Sequence, residues 1–194
     1  MGSGAVVTAS CLLIVFVLAG FYADIRTHKL PNTLTLSGVA LGLANGFLTP
    51  ALQSGNAASG GRFFAEGWQG LLASAQGMAV GFAIMFVLYL FGALGAGDVK
   101  LFAAIGAFMG APFAIESSIC SILYAGAIGL SILIGKKLLF ARLGSVIFGI
   151  IGFVGWRDTT VLRMKKSEML RFPFMYAVLP AVLTLLARQG GWWA

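Results

Sequence analysis

Acidic residues are scarce in this chain, with six Asp and Glu in 194 residues against thirteen Lys and Arg. Charged residues make up 10% of it, which excludes an ordinary soluble domain, where about a quarter are charged. Cysteine is almost missing as well. Cys11 and Cys120 both lie in apolar stretches without a Cys-x-x-Cys partner, so neither a zinc site nor a disulfide framework is indicated. Both are expected to act as small buried apolar residues. No Lys or Arg precedes Arg26, and the positive n-region of a secretory signal peptide is therefore absent. Met1-Gly2-Ser3-Gly4 opens like a myristoylation signal, but Val6 stands where Ser or Thr is needed. There is also no internal repeat of the kind that marks inverted-repeat transporters.

What the chain does have is long apolar runs and a mean hydropathy of +0.96. A bilayer-crossing helix needs about 20 mostly apolar residues. The runs predict an all-α membrane protein with six transmembrane helices, near residues 5–23, 33–48, 68–94, 98–109, 113–135 and 172–187. Residues 49–66, rich in Gly, Ser, Ala and Asn, read as an exposed loop, and Gly110-Ala111-Pro112 as a tight turn. Residues 136–171 hold eight basic residues around an apolar centre, 146–156, too short to cross a bilayer. They read as a cytoplasmic interfacial or re-entrant helix. The whole chain, 1–194, is then a single polytopic membrane domain.

Net charge of +7 raises the question of nucleic acid, but the cations flank apolar segments. The lipid bilayer is the partner that explains them, and no nucleic acid is expected. With both termini outside, the inner face receives eleven of the cations, Arg26, Lys29 and Lys100 among them, and the outer face keeps Arg62 and Arg188. Reversing the topology would invert this bias. Glycines at helical spacing, Gly38, Gly42 and Gly46, Gly77 and Gly81, and Gly106 and Gly110, read as close helix contacts.

Two acids then stand out, Asp24 and Asp98, each where an apolar run meets a polar stretch. The topology places both on the cytoplasmic side. An ionisable residue at the edge of a membrane segment is costly and is a functional candidate. Each also has a plain reading. Asp98, after Gly95-Ala96-Gly97, could cap the helix that follows, and those glycines, free in their dihedrals, admit a close backbone approach by an extended ligand. Asp24, followed by Arg26, His28 and Lys29, could be a solvated, ion-paired loop residue, and a helix C-terminus disfavours an anion. Lys100 reads as a snorkelling anchor. Asn32 and His28 are available for substrate contact, although interface polarity accounts for both. Pro31 suits the first turn of the second helix.

Taken together, these residues resemble the bacterial type IV prepilin leader peptidases, which are membrane aspartic proteases. The first motif is Asp24, then the basic Arg26 and Lys29, then Pro31-Asn32; the second is Gly95-Ala96-Gly97-Asp98-Val99-Lys100, of the Gly-x-Gly-Asp type. Phe172-Pro173-Phe174 resembles the Pro-aromatic element that opens the family's last span. The resemblance covers most of the chain. It implies that Asp24 and Asp98 are the catalytic pair, and that Gly95, Gly97, Lys100, Pro31, Asn32 and Pro173 are motif or substrate-binding positions. No metal and no cofactor is implied. Larger members carry a cytoplasmic insertion with a Cys-x-x-Cys zinc pair and methylate the new N-terminus. This chain lacks those cysteines and resembles the minimal form associated with tight-adherence (Flp-type) pili, for which proteolysis without methylation is expected.

The implied substrates are prepilins or pseudopilins whose short basic leader is removed at the cytoplasmic face of the bacterial inner membrane. Three rivals are distinguishable. Presenilin-like Gly-x-Gly-Asp proteases usually have nine spans and a Pro-Ala-Leu element. A small proton- or cation-coupled transporter would place its two aspartates near the midplane and show repeat symmetry. A non-catalytic assembly factor would leave both motifs unexplained.

Overall fold

A computed structural model describes residues 3–27, 31–53, 60–135 and 174–189. Among the described residues all regular structure is helical: α1 (Ser3–Thr27), α2 (Asn32–Gln53), α3 (Gly60–Leu90), α4 (Ala96–Gly135) and α5 (Met175–Gln189). The first four are long and apolar enough to cross a membrane, and α5 is a shorter apolar helix. The protein is thus a multi-pass membrane protein, with four candidate spans and one shorter apolar helix among the described residues.

Local chemistry sets the helix ends. Arg26 lies in the last turn of α1, where a cation complements the helix dipole. Ahead of α2, the Pro31 carbonyl accepts from the Leu34 and Thr35 amides, at 3.1 and 3.3 Å. Helix α3 stops in a Schellman arrangement. The Ala93 amide reaches the Leu88 carbonyl (3.1 Å), the Gly92 amide reaches that of Tyr89 (2.9 Å), and Gly92 takes φ 73°. Inside α4 the backbone leaves helical geometry at Gly110 (φ 83°, ψ 177°), two residues before Pro112, which has no N–H to donate. The turn expected at 110–112 is therefore a break within α4.

Two sequence expectations are corrected. Residues 60–66, read as loop, form the opening turns of α3, and residues 49–53 close α2. Small polar residues favour turns without forbidding helix, and the neighbouring apolar run extends through them. Cys11 is exposed and Cys120 only half-buried. Burial was inferred from an apolar neighbourhood, but a bilayer protein is apolar on its outer face too. Val15, Leu36 and Leu123, each about two-thirds exposed, display that face. The segment 136–171 and the start of the last expected span, residues 172–173, lie outside the described residues.

The chain divides into two compact units, Met1–Tyr124 with Pro173–Ala194, and Ala125–Phe172. Only residues 125–135 of the second are described, and they are helical. The first unit is packed around Leu13, Phe16, Met85, Phe102, Ile105, Phe108, Val178 and Val182. Phe16 of α1 meets Phe108 of α4 with ring centroids 5.7 Å apart, and Phe21 meets Tyr176 of α5 edge-on at 5.3 Å. Helices α3 and α4 touch backbone to backbone at Gly77 and Gly106. A Cβ on either glycine would run into the other's carbonyl oxygen. That contact is the small-residue packing expected from the spacing.

Candidate active site

Asp24 sits in the last full turn of α1, one turn before its end, and is 8% exposed. It is therefore not a solvated loop residue. Its neighbour Arg26 is exposed and folds back along the helix. The Arg26 guanidinium donates to Tyr22 Oη at 3.3 Å and lies 5.9 Å from the centre of the Tyr22 ring. The outward cation and the inward acid are thus on different sides of the same turn.

Asp98 occupies the first turn of α4, half-buried. Its backbone amide donates to the Gly95 carbonyl at 3.1 Å, while Asp98 Oδ2 accepts the Gly95 amide, also at 3.1 Å. This is the reciprocal half of a capping box: an acid in the third helical position reaches back to the residue that caps the helix. Capping was the correct physics, but Gly95 holds the cap position and Asp98 the position three residues inside. Neither Gly95 nor Gly97 has positive φ, so left-handed backbone does not account for them; Gly92 is the glycine in this stretch that uses it. A Cβ on Gly95 would lie 3.4 Å from Asp98 Oδ2, at the edge of ordinary contact.

The two acids lie within electrostatic range of each other, although the Asp24 charge is the smallest influence on the Asp98 carboxyl, after burial and the Gly95 amide. They arrive from opposite helix ends, α1 finishing and α4 beginning at the same end of the first unit. Asn32, the first residue of α2, is at this end as well, because the Lys100 ammonium donates to Asn32 Oδ1 at 2.9 Å. Sequence reasoning missed that bond. By sequence Lys100 reads as a snorkelling anchor, and nothing local signals a partner 68 residues away. Pro31 is exposed beside Asn32, and Gly97 is half-buried in the first turn of α4. Phe174 stacks at a tilt against Phe102, 6.3 Å between centroids, while Pro173 and His28 lie outside the described residues.

Beside this cluster an apolar groove of about 220 Å³ runs between α2, α3 and α4, lined by Thr35, Leu36, Val39, Phe82, Lys100 and Ala103. No group of three or more His, Cys, Asp and Glu suited to a metal ion occurs among the described residues.

Residues 11–154 match the family model described as the type IV leader peptidase family. No curated protein and no solved structure matches the chain.

Proposed function

The chain belongs to the type IV leader peptidase family, whose substrates are prepilins, and on that premise we propose that it is an aspartic endopeptidase in which Asp24 and Asp98 act as one pair. The observation that carries this is the placement of two acids, one buried in the last turn of α1 and one half-buried in the first turn of α4, at one end of the bundle and within electrostatic range. An aspartic protease needs two carboxyl groups that share one proton.

The chemistry follows from that sharing. The ionised carboxylate takes a proton from water as the water oxygen bonds to the scissile carbonyl carbon. The protonated carboxyl gives its proton to the carbonyl oxygen, forming a tetrahedral diol. Collapse of the diol breaks the C–N bond: one diol hydroxyl returns its proton to the second carboxylate, and the leaving amine takes the proton held by the first, which restores the pair. The pair titrates as a unit, so the proton belongs to both acids together.

The bond to be cut joins a short basic leader to an apolar helix of a Flp-type prepilin. In our reading the break at Gly110 separates two spans, so that α1, α2, α3, the two parts of α4 and α5 make six. With both termini outside, the cation bias turns the Asp24–Asp98 end toward the cytoplasm of the bacterial inner membrane. Cleavage at the leader–helix junction requires reactive groups at that boundary. The chain's two cysteines, far apart in sequence, offer no zinc-binding pair like that of the larger members, which favours proteolysis without methylation. The family match lends no support to a transporter.

The test is co-expression of the full chain with a Flp-type prepilin, followed by mass spectrometry of the pilin. The expected product has lost its leader and carries an unmethylated N-terminus. An intact leader in cells making both proteins contradicts the reading, and a methylated N-terminus contradicts its narrower part.

A further inference from the structure

The starts of α2 and α4 are each pinned locally. At α2, the Pro31 carbonyl accepts from the Leu34 and Thr35 amides, and the Thr35 hydroxyl, 1% exposed as a residue, donates to the Asn32 carbonyl at 3.1 Å. At α4, Asp98 and Gly95 exchange two hydrogen bonds. These bonds span only three or four residues. The bond from Lys100 to Asn32 is of another kind, since it joins the two helix starts across 68 residues.

Its two ends carry the acids' supports. Asn32 opens α2, which packs against α1, the helix that carries Asp24, with Phe16 of α1 lying over Gly38 of α2. Lys100 stands two residues after Asp98, within the first turns of α4. An ammonium donor to an amide oxygen is charge-assisted, and at 2.9 Å it has the usual length for such a bond. Placement errors of about 1 Å between reacting groups cost on the order of 10²-fold in rate. A link between the two supports therefore acts on the chemistry without touching substrate.

We propose that the Lys100–Asn32 hydrogen bond is a clasp that fixes the two aspartate-bearing segments relative to each other, making Lys100 and Asn32 positioning residues rather than catalytic ones. The proposal rests on the reading of Asp24 and Asp98 as the reacting pair. Lys100→Met and Asn32→Ala each lower kcat about tenfold while KM stays within about twofold, because substrate binding is left intact. The double variant is no slower than the slower single, since both remove the same bond. Lys100→Arg, which keeps a cationic donor, retains most of the rate.

Amide hydrogen exchange on the full chain in lipid nanodiscs supplies a readout that does not depend on cleavage. Lys100→Met should speed exchange in residues 31–36 of α2, and Asn32→Ala should speed it in residues 96–101 of α4. Exchange in α5 stays unchanged in both. Unchanged exchange in the far segment of either variant overturns the clasp, as does a double variant whose loss equals the product of the singles. Should the wild type cleave no prepilin, the functional reading fails and the exchange data decide the clasp alone.

Discussion

The end of α1 and the start of α4 each carry one aspartate at the same end of the bundle, yet they hold it in opposite ways. Asp98 stands at a helix N-terminus, where exposed amides and the helix dipole favour a carboxylate, and it accepts the Gly95 amide. Asp24 stands near a helix C-terminus, where the dipole disfavours negative charge, and it is the more deeply buried of the two. Asp98 has a capping task in its own helix start, whereas Asp24 is buried against the dipole's preference and has its own interaction there.

Stability should expose this contrast most strongly. Asp98→Ala frees the Gly95 amide and should cost about 1 kcal/mol, the usual magnitude for a lost capping interaction. Asp24→Ala removes a charge from a place that the helix dipole disfavours, together with the interaction that Asp24 makes, so its loss should be smaller than that of Asp98→Ala. Thermal unfolding of both variants in nanodiscs checks this. Equal losses would mean that Asp24 has a structural task as large as that of Asp98.

A substitution just upstream sharpens the comparison. Gly92→Ala puts a side chain on a φ of 73° with open space around it, so its cost is backbone strain alone, about 1 kcal/mol. Cleavage should fall little, because Gly92 holds the end of α3 and not either acid. Gly95→Ala acts in the opposite manner. Its Cβ brushes Asp98 Oδ2 at 3.4 Å, so stability stays within about 0.5 kcal/mol, the usual range for a surface change, while prepilin cleavage falls a few-fold. If the first variant lost cleavage and the second did not, the Asp98 carboxyl would not be held as described.

The smallest effect belongs to the far end of the bundle. Arg188 of α5 and Glu116 of α4 lie 3.7 Å apart, both well exposed. Arg188→Gln should change stability by less than about 0.5 kcal/mol and leave cleavage unaltered, since exposed pairs are weak. Loss of cleavage there would show that the two ends are coupled.

The two acids were legible in the sequence for different reasons. Asp98 stands out through Gly95 and Gly97, and Asp24 through its spacing to Pro31-Asn32 and the topology that cation counting predicts. The break at Gly110 was legible because glycine and proline punctuate the chain there. What the sequence hid was tertiary or depended on environment. The partner of Lys100 lies in another helix, and no local pattern encodes a contact of that range. The exposure of Cys11 followed from a bilayer-facing surface as apolar as the interior, which defeats inference of burial from composition. The loop reading of 60–66 failed because glycine-rich composition lowers helix propensity by increments that an adjoining long helix overrides.

The central claim is that Asp24 and Asp98 form one reacting unit. Measure prepilin cleavage by the wild type, Asp24→Asn, Asp98→Asn and the double variant, each at equal abundance in the membrane. Groups acting as a unit are non-additive, so each single change should reduce cleavage by about 10³-fold or more, and the double change should reduce it no further. Substantial cleavage by either single variant, or a double variant slower by the product of both losses, would contradict the account.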